Sequence, residues 1–168
     1  MKALITGASS GIGRDMARVL ADKGYDLILV ARNVERLEAL KEELKNEYKV
    51  NVEYLSIDLS KRENCLDLYN KVKDIDILVN NAGLGDFGEF SETELTKDFS
   101  IIDTNITSVH ILTKLYLKDM KEKNSGKILN VASIAGFMPG PLMATYYASK
   151  NYVVRLSEAI REELHKSK

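Results

Sequence analysis

An α/β fold, with a parallel sheet wound on both faces by helices, follows from three observations. Short apolar runs alternate with helical periodicities from Ala3 to the end of the chain, the first run passes directly into a glycine-rich turn, and chemically versatile residues recur just after the runs. Right-handed crossovers convert such repeated βαβ units into a doubly wound parallel sheet, and for its five strands the order 3-2-1-4-5 is expected.

The first unit reads ALITGASSGIGRDMARVLADKGYD from Ala3: a strand, a turn, and an amphipathic helix stopped by Gly24. Asp26 to Ala31 is a buried parallel strand, and Val34, Leu37, Leu40 and Leu44 then recur at helical spacing. Asn51 to Ile57 is a third strand, Lys61 to Val72 a third helix and Asp76 to Val79 a fourth strand. After a loop holding Gly83, Gly85 and Gly88, the stripe Phe99, Ile102, Ile106, Val109, Thr113, Tyr116 and Met120 predicts one long helix. Gly126 to Ala132 is a fifth strand, and Met143 to about His165 a final helix with Val153, Leu156, Ile160 and Leu164 on one side. No repeat or linker interrupts the alternation, so residues 1–168 are expected to form a single domain.

Composition narrows the function. The 24 Lys and Arg residues nearly balance 25 Asp and Glu, which offers no basic face to nucleic acid and favours a small-molecule partner. No apolar run approaches bilayer length, and Met1 and Lys2 lead straight into a strand, so no membrane association and a cytoplasmic location are expected. Cys65 has no cysteine partner and is expected to be inert. His110 and His165 have no acidic or cysteine partner at ligand spacing, and no metal is assigned.

The turn Thr6-Gly7-Ala8-Ser9-Ser10-Gly11-Ile12-Gly13 lies where a Rossmann-type dinucleotide site needs it. Backbone amides and the dipole at a helix N-terminus attract a pyrophosphate, and glycines let the chain come close to it. Gly7, Ser9, Ser10, Gly11, Ile12 and Gly13 are therefore cofactor-binding candidates, although the spacing is TGxxxGxG rather than GxGxxG. Ala31-Arg32-Asn33 closes the second strand, and no carboxylate lies between Leu27 and Val34. A carboxylate there would select a free ribose 2′-hydroxyl, whereas the fork of Arg32 suits a 2′-phosphate, so NADP is expected over NAD.

These residues resemble the classical short-chain dehydrogenases/reductases. Thr6 to Gly13 looks like that family's cofactor motif, Asn80-Asn81-Ala82-Gly83 like its NNAG segment, and Tyr146 to Lys150 fits its YxxxK motif, in the family's order and over the whole chain. The resemblance implies that Asp58 holds the adenine, that Asn80, Ala82 and Gly83 lie near the adenosine, and that Asn105, Ser133, Tyr146 and Lys150 form a catalytic tetrad. Asn105 would hold a water linking Lys150 to solvent, and the last two helices would build a homodimer or homotetramer.

The residues themselves also point to this chemistry. A free phenol titrates near pH 10, so an acid/base phenol needs a nearby cation, and Lys150 lies one helical turn from Tyr146. Tyr147 lacks that spacing and is assigned to packing or the pocket wall. Ser133 can donate to a carbonyl oxygen as charge develops on it. The expected activity is hydride transfer between a nicotinamide and a carbonyl or secondary alcohol; a dinucleotide-binding protein without efficient turnover and a sugar-nucleotide epimerase are the alternatives. Leu84, Phe87, Phe137, Met138 and Leu142 are apolar pocket candidates. By the resemblance, a sixth strand, a substrate-binding loop and a seventh strand would follow, so the fifth strand is expected to be a bare edge that either further polypeptide or another chain covers.

Overall fold

A computed structural model describes residues 1–165. Five strands, β1 (Lys2–Thr6), β2 (Asp26–Ala31), β3 (Val52–Ser56), β4 (Ile77–Asn80) and β5 (Lys127–Asn130), form one parallel sheet in the order β3-β2-β1-β4-β5. The expected doubly wound topology is therefore the observed one.

Strand alternation divides the core. Side chains at successive positions leave opposite faces, so Ala3, Ile5, Leu27 and Leu29 pack with Leu37, Leu40 and Leu44 of α2 (Val34–Tyr48) and Ala17, Leu20 and Ala21 of α1 (Gly11–Asp22). Leu4, Ile28, Val30 and Leu78 face the other way, onto Cys65 and Leu68 of α3 (Arg62–Lys71) and Leu112, Tyr116 and Met120 of α5 (Ser108–Glu122). Each fully buried leucine contributes about 1.5–3 kcal/mol through the water it sheds. Cys65 is part of this second core: burial pushes its thiol up to about 11, and it donates to the Leu59 carbonyl. The thiolate needed for reactivity is thereby suppressed.

The long helix predicted from Phe99 onward is interrupted. It runs as α4 (Leu95–Ile102), a π-helical turn over Asp103–Thr107, and then α5. A π turn inserts one residue and so rotates the helical face by about 100°. The predicted stripe is correct on the α5 side, where Val109, Thr113, Tyr116 and Met120 are buried, but wrong on the α4 side: Phe99 is 55% and Ile102 38% exposed while Ile101 is buried. A short 3-10 turn, Ile134–Phe137, follows β5 and precedes α6 (Ala144–Leu164). Among the described residues no helix is long and apolar enough to cross a membrane.

β5 pairs only with β4 among the described residues, and its residues alternate between exposed and half-buried. On the β4 side, Asn130 Oδ1 accepts from Asn80 Nδ2 (2.9 Å) and its amide donates to Ser157 of α6 (3.0 Å), which fastens the last helix to the sheet.

Candidate active site

The loops at the carboxyl ends of β1, β2, β3 and β4 enclose a cleft of about 680 Å³. In a doubly wound sheet that is the edge where loops converge without sheet hydrogen bonds to satisfy, leaving amides and side chains for a ligand. Gly7, Ser9, Ser10, Ile12, Arg32, Asp58, Ala82 and Gly83 line it, as do Asn33, Arg36, Leu59, Asn81, Leu84 and Thr104.

The turn after β1 is built by close approach. Gly7 has φ +65°, and a Cβ there would lie 2.7 Å from Asn81 Nδ2 and 2.8 Å from Ala82 Cα. Gly13 is buried in α1, where a Cβ would fall 2.3 Å from the Gly7 carbonyl; Gly11 has φ +52° and nothing within 4 Å. Neither Gly11 nor Gly13 is in the cleft lining. Gly13 lets helix and turn interlock, while Gly11 supplies the left-handed residue on which α1 starts. The helix opens onto the cleft uncapped: Ser10 makes no side-chain cap and the first turn carries no acid.

The NNAG segment divides its two asparagines. Asn80, expected near the adenosine, faces away from the cleft, because it is the last residue of β4 and its side chain leaves the sheet toward α5 and β5. Its amide donates to Thr113 Oγ1 (3.0 Å) and Asn130 Oδ1 (2.9 Å). Asn81 is the residue in the cleft wall, its amide donating to the carbonyls of Thr6 (3.2 Å) and Gly7 (3.1 Å). The Thr6 hydroxyl in turn accepts from the backbone amides of Asn81 and Ala82 (3.0 and 3.1 Å). The loops after β1 and β4 are thus sewn together beneath the cleft.

Two arginines stand at its β2 side. Arg32 ends the strand, and Arg36 lies in the first turn of α2, whose N-terminus Asn33 caps by accepting from the Arg36 amide (2.8 Å). Neither guanidinium has an ion-pair partner among the described residues. Arg36 escaped sequence reading because its place in the lining depends on where α2 starts; an arginine three residues past an Asn cap is the signal that would have found it. Burial alone would raise the Asp58 carboxyl, but the Ser60 hydroxyl and amide it accepts from, with Arg32 and Lys61, hold it below the usual carboxylate range.

Asn105, Ser133, Tyr146 and Lys150 are not in that lining. Asn105 and Lys150 come together at Gly83 and Lys150 lies by Tyr146, while Ser133 makes no hydrogen bond to these three among the described residues. Lys150, 6% exposed, donates to the Val131 carbonyl (3.0 Å), and its Nζ lies 5.8 Å from the centre of the Tyr146 ring. Burial lowers its pKa, since desolvation disfavours the ammonium. A point one Cβ length above Gly83 is 3.5 Å from both Lys150 Nζ and Asn105 Oδ1, so these two polar groups flank the same bare glycine.

The Asn105 side chain is occupied by protein. It accepts from the Leu84 amide (2.8 Å), donates to the Leu84 carbonyl (2.8 Å) and donates to Ser149 Oγ (2.9 Å). It lies in the π turn, a departure from α geometry that is frequent at functional sites. Ser133 begins the 3-10 turn, its oxygen accepting from the Ala135 amide (3.1 Å), which leaves the hydroxyl proton free to donate elsewhere. Tyr147 meets Tyr146 edge-on and packs over Gly140, where a Cβ would be 2.3 Å from its ring. Around this group the apolar candidates are mostly exposed, with Phe87 at 71%, Phe137 at 63%, Met138 at 53% and Leu142 at 41%; Leu84 lines the cleft.

Comparison with known proteins identifies relatives of the whole chain. The short chain dehydrogenase family matches residues 1–168. The chain is 38% identical to a very-long-chain 3-oxoacyl-CoA reductase of Phaeosphaeria nodorum, covering 96% of this chain and 50% of that protein. It is equally similar to hydroxysteroid dehydrogenase-like protein 1 of Gallus gallus, with the same shares covered. The chain spans about half the length of the curated relatives it matches. Among solved structures, a short-chain dehydrogenase from Sphingobium yanoikuyae in complex with NADPH superposes with a TM-score of 0.94 at 36% identity, over 99% of this chain and 66% of that one. A bulky-bulky ketone specific alcohol dehydrogenase from Comamonas testosteroni gives 0.93 at 33%, over 97% and 67%. Fold, motif order and similarity converge: the chain belongs to the short chain dehydrogenase family.

Proposed function

We propose that this chain carries the cofactor site and reacting groups of an NADP-preferring oxidoreductase acting on a carbonyl or secondary alcohol. The observation that carries the reading is the buried Lys150 ammonium, held by the Val131 carbonyl one helical turn from Tyr146 and beside the bare backbone of Gly83. A buried lysine with one protein hydrogen-bond partner keeps further N–H donors for a ligand that reaches Gly83.

The cleft fits a dinucleotide. The uncapped, acid-free start of α1 suits a pyrophosphate, the paired Arg32 and Arg36 suit a 2′-phosphate, and Asp58 and Leu59 offer an acceptor and an apolar surface to an adenine. Such a cofactor, when bound, supplies or accepts the hydride. Tyr146 gives a proton to, or takes one from, the substrate oxygen; Lys150 stabilises the phenolate by its charge; Ser133 donates to the same oxygen. Asn105, its side chain occupied, holds the Leu84 loop, so any water leading from Lys150 to solvent is left to backbone groups. Asn80 serves the sheet rather than the adenosine. A homo-oligomer belongs to the same reading, supported by the exposed apolar face of α4 at Leu95, Phe99 and Ile102, and light scattering tests it.

The experiment for the mechanism is Tyr146→Phe in the full polypeptide, assayed as NADPH consumption over a panel of ketones. Turnover is expected to fall by about 10²–10⁴-fold with NADPH affinity retained; undiminished turnover would sink it.

A further inference from the structure

α6 begins without a cap of its own. Met143 precedes it, no side chain bonds its first amides, and its first turn carries no acid. Asp98, from the first turn of α4, bonds a side chain of that first turn instead: its Oδ1 accepts a 2.5 Å hydrogen bond from the hydroxyl of Thr145, the residue before Tyr146. A carboxylate at this end also complements the positive pole of the helix.

A second hold lies one turn further along α6. Ser149, fully buried, accepts from Asn105 Nδ2 (2.9 Å) and donates to the Tyr146 carbonyl (2.7 Å). Asn105 is itself fixed by both backbone groups of Leu84. Asp98 and Asn105 belong to the same contiguous run of helical residues, 95–122, Asp98 in α4 and Asn105 in the π turn. The same stretch therefore holds α6 on both sides of Tyr146. On its exposed flank the ring meets Gly85, where a Cβ would come within 3.3 Å of Tyr146 Cδ2.

We infer that Asp98, Thr145 and Ser149 are positioning residues, forming with Asn105 a two-point clamp that fixes the Tyr146 phenol relative to Lys150. A long α6 could pack without these bonds, since Val153 and Val154 are buried further along it. α6 is also tied further along, by Asn151 to the Gly136 carbonyl, Tyr152 to His110 and Ser157 to Asn130, but the bonds at Thr145 and Ser149 are the ones that bracket the phenol. Asn105 and Ser149 are buried and Asp98 and Thr145 half-buried; hydrogen bonds so placed specify one backbone position where apolar packing would tolerate several, and small displacements of a reacting group cost rate steeply.

The inference rests on Tyr146 as the acid/base, and two readouts separate the two claims. In the full polypeptide, Thr145→Val and Ser149→Ala should each lower kcat for NADPH-dependent ketone reduction by about 10–100-fold with KM for NADPH unchanged, and Thr145→Ser should restore the rate. Amide hydrogen exchange, which needs no turnover, should quicken over residues 144–150 in Thr145→Val while β1 stays protected. An unchanged kcat, a loss that Thr145→Ser does not rescue, or unaltered exchange in that turn overturns the clamp. Retained turnover in Tyr146→Phe would instead overturn the acid/base role and leave the exchange result to judge the clamp.

Discussion

Two helices present their N-termini to this site, and they are treated in opposite ways. α1 and α6 both start without a side-chain cap and without an acid in the first turn. α1 is left open, facing a cleft with Arg32 and Arg36 on its far side. α6 is tethered at its first turn by Asp98, brought from another helix onto the Thr145 hydroxyl. On the proposed reading, the dipole of the first helix start is left for an anion, whereas a carboxylate from another helix lies against the second and holds a side chain there. An end that binds an anion must stay free of protein carboxylates, and an end that carries a reacting phenol can be tethered through a neighbouring hydroxyl.

The contrast is tested most severely behind the tethered end. Lys150→Met should lower turnover by about 10²–10⁴-fold without destabilising the fold. Burial lowers the Lys150 pKa, so the unfolded chain holds this proton more tightly than the folded one. The ammonium therefore opposes folding below its folded pKa, and stability gains as pH rises from there toward the unfolded value. Removing it should keep or raise the melting temperature at neutral pH and flatten that alkaline gain, readable by thermal scans across pH. A large drop in melting temperature would mean that the Val131 bond outweighs desolvation.

At the open end the expected effect is smaller. Charge-assisted bonds to phosphate are worth about 1.5–3 kcal/mol, so Arg32→Ala and Arg36→Ala should each weaken NADPH by about 10–100-fold in calorimetry and leave NADH unchanged. Equal losses for both cofactors would remove the 2′-phosphate from the assignment, and loss with Arg32 alone would remove Arg36.

The smallest effect probes both ends at once. Ser10→Asp places a cap and a negative charge on α1, and Met143→Asp does the same on α6; each should stabilise the protein by about 0.5–1 kcal/mol. Only Ser10→Asp should weaken NADPH, because only that end is open to it. A Met143→Asp variant that also weakened NADPH would show that the two ends are not independent.

Much of this was readable in the chain, for reasons that differ by residue. Strand and helix periods are local, so the order of elements and the pairing of Tyr146 with Lys150 across one turn could be read from spacing. The turn from Thr6 to Gly13 was equally legible, because left-handed and sterically closed positions leave a glycine signature. The stripe through Phe99 and Ile102 misled because a π turn lay between it and Val109, and Asp103–Thr107 carries no local mark of one.

Local sequence was enough for the alternation of elements, the phosphate-type turn and the helical face that pairs a phenol with an ammonium, since each depends on residues within a turn or a strand of one another. Three outcomes waited for the folded chain: Asn81 rather than Asn80 faces the cleft, Arg36 joins Arg32, and Asp98 bonds the Thr145 hydroxyl beside Tyr146. They depend on which elements lie side by side and how each is rotated about its axis. Packing of the whole sheet sets both, and no short stretch of sequence encodes either.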